Sequence, residues 1–382
     1  MSFLLIIIYL SFISLGLPDS LLGAVWPVMQ PEFGVSVPFG GYLGMTVSVC
    51  TVISALSAMW LHKHLGTGKT IAISTTLTAL SLLGYSLAPS FWMLFPLAVV
   101  LGLGGGAIDS ALNNYVAVHY RARHMSFLHA CWGVGATVGP LILSVFLAHG
   151  SWRNGYRLIA VIQGILAALQ FISMPLWKKQ DSIEQNPGET MKGTVNPRTK
   201  ILAMLSFLFY CAYETSCILW IATYFVRKLG TDKVSGARAS SAFFFGITAG
   251  RFLSGFISDK VGVKRMIYLG SAIAFLGSAG LLVTTSLPAA YALTLLIGLG
   301  CAPIYPSMIH RTPRRYGSEL SPKIIGLQMA TAYIGSTAVP PLAGLLAVHS
   351  SFSIIPIIGL FCMLMVFGFT WIIEHSSAAA KI

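Results

Sequence analysis

Apolar stretches of similar length recur along the whole chain, separated by short polar connections. Each approaches or exceeds 20 residues, the length at which a helix crosses a hydrocarbon layer about 30 Å thick. The pattern predicts twelve membrane-spanning helices, at roughly 3–29, 36–61, 70–88, 91–119, 125–149, 154–177, 199–226, 238–258, 265–286, 288–310, 323–348 and 352–373. The first stretch is longer than a signal-peptide core and has no small-residue cleavage site behind it, so it reads as a retained helix. The longest polar interruption, KKQDSIEQNPGETMKGTVNPRTK at 178–200, is rich in charge, proline and glycine. It divides the chain into a six-helix bundle over 1–177, a linker over 178–198 and a second six-helix bundle over 199–382. The fold class expected is therefore an all-α membrane protein of two pseudo-symmetric bundles.

Composition agrees with that reading. Hydrophobic residues make up 55% of the chain and charged residues only 9%, against about 25% charged in ordinary soluble domains. The net charge of +13 raises nucleic acid as a partner, but the placement of the cations argues for topology instead. With the connections assigned alternately to the two sides, 18 lysines and arginines fall on one side and 6 on the other. That bias puts both termini in the cytoplasm of a cell membrane. The six cysteines all lie in apolar segments without metal-ligand spacing and read as small buried hydrophobes.

The two halves repeat one another. LGTGK around Gly66 matches VGVKR around Gly262, and LGLGGGAIDS at 101–110 matches IGLGCAPIYP at 297–306, both at an offset of 196 residues. GATVGP at 135–140 aligns with GSTAVP at 335–340, and His149 with His349, at an offset of 200. Asp19 aligns with Glu214. The order of these matches is preserved, so the halves are equivalents in parallel.

Only 11 acidic residues are present, yet Asp19, Asp109 and Glu214 fall inside apolar segments. A carboxylate at bilayer depth costs about 2.5–3.5 kcal/mol on insertion scales, which marks each as a functional candidate. Asp109 stands four residues before Asn113, on one helical face.

The repeat and the sequence GRFLSGFISDKVGVKR at 250–265 together resemble the major facilitator superfamily and its G-R-x-x-x-G-x-x-x-D-x-x-G-x-x-R signature. The resemblance implies a carrier that binds solute at the midplane between its halves. It also implies a gating role for Gly250, Arg251, Asp259 and Arg265, with Gly250 and Gly255 permitting close helix approach and Asp259 accepting from Arg251 or from a helix N-terminus. The matching loop of the first half reads WLHKHLGTGK, with Lys63 where the acid would stand. GGGAIDSALNNYVAVHY (104–120), FLHACWGVGATVGPL (127–141) and YETSCILWIATYF (213–225) are similar to the fucose permease branch of sugar–proton symporters and their sodium–glucose transporter-like relatives. In that branch acids of the first and fourth helices govern coupling and sugar recognition, which implies Asp19 and Asp109 here. The chain departs from fucose permease at Trp132, where that protein has an asparagine, so individual sugar contacts do not transfer.

A sugar site needs donors and acceptors for hydroxyls and flat apolar surfaces for ring faces. Asn113, Asn114, Gln163, Glu214 and Gln328 supply the first kind; Trp132, Trp220, Tyr224 and Tyr333 supply the second. His129, one turn from Trp132, is either a packed histidine or a member of a proton relay. The expected function is cation-coupled uptake of a small, sugar-like polar solute, with the proton as the leading ion and sodium as the alternative. Efflux of drugs or metabolites is the competing reading. Zinc-protease, nucleophile-elbow and P-loop motifs do not occur, so an enzyme is not expected, nor a cofactor, a bound metal or a nucleic acid partner. The carrier is expected to work as a monomer in the lipid bilayer.

Overall fold

The computed structural model describes residues 3–119, 122–177, 196–316 and 320–379, with some side chains, those of Asn114 and Asp259 among them, outside the description. Among the described residues twelve helical stretches are long and apolar enough to span a membrane, as the hydropathy pattern predicts. Two of them are interrupted. The first span comprises α1 (Phe3–Asp19) and α2 (Leu21–Glu32), and the tenth comprises α11 (Leu287–Cys301) and α12 (Ile304–Tyr316). Pro18 and Pro303 sit at these breaks, where a missing N–H and a ring clash with the preceding turn stop a regular helix.

The remaining spans are single helices: α3 (Phe39–Leu65), α4 (Thr67–Leu87), α5 (Leu94–His119), α6 (Ala122–Ala148) and α7 (Trp152–Ile172), then α8 (Pro197–Arg227), α9 (Lys233–Val261), α10 (Val263–Val283), α13 (Ser321–His349) and α14 (Ile354–Ala379). Three ends differ instructively from expectation. α7 stops at Ile172 rather than 177, because Pro175 follows in a short 3-10 turn at Met174–Leu176. α12 and α14 run on past 310 and 373, carrying Arg311, Arg315 and Glu374 inside helix.

The chain divides into two compact units, Met1–Ile183 with Ile221–Ser241, and Glu184–Trp220 with Ala242–Ile382. α8 and α9 thus contribute residues to both. In the first unit α1 lies along α6, α3 along α5, and α4 against α5 and α7; in the second, α10 packs on α11 and α14.

The internal repeat is visible in two kinds of glycine. Gly66 and Gly262 both adopt positive φ (77° and 86°), and the carbonyl of each accepts the N–H four residues on, at 3.1 Å. Only glycine takes that conformation without a steric penalty, so both turns open the next helix the same way. Gly135 and Gly335 are crossing points. A Cβ on Gly135 would lie 1.9 Å from the Ile13 carbonyl oxygen, and one on Gly335 would lie 2.2 Å from that of Leu208. α6 meets α1 as α13 meets α8. Gly255, expected to serve the same purpose, does not: a Cβ there meets nothing within 4 Å.

Candidate functional site

In the first unit the α1–α6 crossing builds the surroundings of Asp19. A Cβ at Gly16 would lie 2.1 Å from the Trp132 carbonyl oxygen, so the backbones touch one turn before Asp19. That contact sets the Trp132 indole beside the carboxylate, and Trp132 Nε1 donates to Asp19 Oδ2 at 2.8 Å. Asp19 itself remains exposed and Trp132 half-buried. Asp109 and Asn113 lie one turn apart on α5, both half-buried, with Asn113 Nδ2 donating to Asp109 Oδ1 at 2.9 Å. Asn114 is on the same helix, but its side chain lies outside the described residues. His129 is exposed, its ring edge-on to Phe12.

Gln163 is fully buried and serves the break in the first span. Proline at position 18 cannot supply the N–H that would bond the Ser14 carbonyl. Gln163 Nε2 donates to that oxygen instead, at 2.6 Å, while Ser14 Oγ donates back to Gln163 Oε1. The amide is engaged between α1 and α7. Tyr224 is also buried in the first unit, beside Phe225.

The second unit presents a different electrostatic arrangement. Glu214 accepts from the Tyr210 hydroxyl at 2.8 Å and faces Arg251 Nη2 at 3.8 Å. The resemblance offers Asp259 a partner in Arg251 or in a helix N-terminus, and the Asp259 side chain lies outside the described residues; among those described, Arg251 faces Glu214. Gly250 brings α9 against α11, with a Cβ there 2.6 Å from that of Ala302. Arg265 is exposed. Trp220 is buried over Gly344 and donates to the Pro340 carbonyl at 2.8 Å; Gln328 is buried and accepts from Thr312 at 3.0 Å. Tyr333 is exposed. Asp19, Trp132, Asp109 and Asn113 are thus gathered in one unit, and Glu214, Arg251, Gln328 and Tyr333 belong to the other.

Two charged clusters escape sequence reasoning. Arg153 at the start of α7 binds Glu32 Oε1 at 2.7 Å and the Ala88 carbonyl at 2.8 Å, while Trp152 Nε1 donates to Glu32 Oε2 at 2.6 Å. Glu374 on α14 meets Arg311, Arg315 and Lys264. The signal for the second was present: Arg311 and Arg315 are spaced one turn apart, on one face.

Comparison with known proteins agrees with this architecture. The family model described as Major Facilitator Superfamily matches residues 8–237 and 202–381. The Fosmidomycin resistance protein of Escherichia coli is 24% identical over 81% of this chain and 76% of its own length. The Glucose/mannose transporter GlcP of Bacillus subtilis is 25% identical over 64% of this chain and 63% of its own. Among solved structures, the peptide transporter POT superposes with a TM-score of 0.79 at 14% identity, covering 98% of this chain and 96% of that one. At that identity the likeness shows the fold.

Proposed function

The chain belongs to the major facilitator superfamily, whose members are transporters of small solutes, and from that premise we propose that it is a cation-coupled uptake carrier for a sugar-like polar solute, with the proton as coupling ion. It works by alternating access. Its bundles are 1–177 and 199–382, joined by a linker at 178–198, with both termini in the cytoplasm and the monomer as the working unit.

The observation that carries the reading is the Asp19–Trp132 pair. A carboxylate in a spanning segment, exposed and held by one indole N–H, keeps acceptor positions open to a hydroxyl or a proton. Asp109, with Asn113 bonded to it, supplies a second acid in the same unit. Linked protonation of such a pair couples ion and solute, because only the charge-compensated carrier closes without burying a bare ion. Asn113, Asn114, Trp132, Glu214 and Tyr333 form the proposed solute contacts. Gln163, Trp220, Tyr224 and Gln328, buried in this structure, contribute as rearrangement exposes them. Gly250, Arg251, Asp259 and Arg265 form the gate. The similarity to GlcP, named for glucose and mannose, supports the solute class.

Efflux is the second reading, favoured by the similarity to a protein named for fosmidomycin resistance. One experiment separates the two. Proteoliposomes are given a panel of labelled sugars under separately imposed pH and sodium gradients. Accumulation of a sugar with the inward proton gradient alone supports the proposal. Accumulation with sodium alone reassigns the ion, and failure of every sugar under both gradients transfers the case to efflux.

A further inference from the structure

We propose that the second unit contains a binding site for a small inorganic anion of about chloride size, formed at the end of α12 by Arg311 and Arg315 with Gln328 beside them. It uses neither Asp19 nor Asp109, and of the proposed solute contacts it shares Gln328 alone.

Among the described residues the charges at the end of α12 are unbalanced. Arg311 and Arg315 both direct Nη2 at a single oxygen, Glu374 Oε1, the latter at 2.7 Å, and Lys264 Nζ stands 3.8 Å from Oε2. The two arginine side chains are only 18% and 16% exposed, and that of Glu374 16%. Three cations thus share one carboxylate, and two of them are largely withdrawn from solvent. A buried charge without compensation is among the costliest arrangements in a protein, and a counter-ion relieves it directly.

A cavity of about 20 Å³ lies where that ion would sit, lined by Arg311, Arg315 and Gln328 together with Phe207, Met308 and Ile373. The space accommodates one water-sized sphere, since about 10–15 Å³ on this measure holds one water. A small monatomic ion such as chloride matches a space of that size. Among the described residues Arg311 Nη1 is buried with no acceptor, so Glu374 does not satisfy all of that guanidinium. Gln328 Oε1 already accepts from Thr312, so its amide N–H is what it offers a ligand. A neutral water would satisfy a donor but leave the charge. An anion does both, and the apolar lining strengthens its attraction to the guanidinium groups.

The test uses the purified full-length protein, melted while chloride replaces gluconate at constant ionic strength. A ligand that binds only the folded state raises its stability with the logarithm of concentration. We expect a rise of about 2–4 °C over a tenfold excess beyond half-saturation. Arg311→Gln and Arg315→Gln should flatten the response, and Glu374→Gln, which removes the competing carboxylate, should move half-saturation to several-fold lower chloride. Crystals of the unaltered protein grown in bromide provide a readout independent of how the variants fold, with an anomalous peak expected in the cavity lined by Arg311, Arg315 and Gln328. Identical melting in chloride and gluconate, or no peak at that position, overturns the proposal.

Discussion

Trp132→Phe isolates one bond. The substitution keeps a flat apolar ring and the α1–α6 crossing, which depends on Gly16 and the Trp132 backbone, and it removes the donor to Asp19. A hydrogen bond to a charged group contributes about 1.5–3 kcal/mol. Asp19 is exposed, so water replaces the lost donor, and the low end of that range applies. About 1.5 kcal/mol corresponds to roughly a tenfold change. Proton-driven accumulation in proteoliposomes should therefore fall about tenfold, whereas equilibrium exchange of unlabelled for labelled solute should fall much less. Asp19→Asn should abolish accumulation outright. If Trp132→Phe accumulates solute as the unaltered protein does, the indole–carboxylate bond is no part of coupling and the argument from it fails.

The remaining predictions concern packing and charge. Gly135→Val and Gly335→Val should each lower the melting temperature sharply, since overpacking costs about 1–3 kcal/mol and the clash here is with backbone; Gly255→Ala should melt within about a degree of the parent. Removing Arg251 alone leaves Glu214 without its cation, so Arg251→Met should be more damaging in melting and transport than the double variant with Glu214→Gln. A coupling of about 0.5–3 kcal/mol is expected from the cycle, and additive effects would refute the pair. Asp232 caps α9, accepting from the backbone N–H groups of Val234 and Ser235 at 2.8 and 2.9 Å, and those bonds hold its carboxyl below the usual range. Its contribution is present above the ordinary carboxylate value and is lost only as pH falls through the depressed one. Asp232→Ala should therefore cost about 1 kcal/mol at neutral pH, a difference that fades in acid melts.

Hydropathy alone made the twelve spans legible, because the bilayer fixes a length that soluble cores do not. Local spacing also put Asp109 and Asn113 on one helical face, one turn apart, where the bond between them forms. The bond from Trp132 to Asp19 was not legible: it joins residues 113 apart in sequence, and nothing in either segment encodes the crossing except small residues. Gln163 shows the ambiguity of a polar group in an apolar helix. Its rarity suggests a ligand contact, and only the geometry reveals that it answers the carbonyl freed by Pro18. The Glu374 cluster was hidden by a boundary. Ending the tenth and twelfth segments at the first charge placed Arg311 and Glu374 in loops, whereas ion pairing keeps both in helix.

The position of Glu374 also bears on the order in which the protein is made. Arg311 and Arg315 precede it by 63 and 59 residues, so during synthesis both guanidinium groups emerge long before the carboxylate that neutralises them. The nascent tenth span must wait for the last helix before its end can settle among its neighbours. A chain halted just short of Glu374 would contain every apolar segment and still hold two unmatched cations. The carboxylate that these two guanidinium groups share therefore arrives only with the final helix.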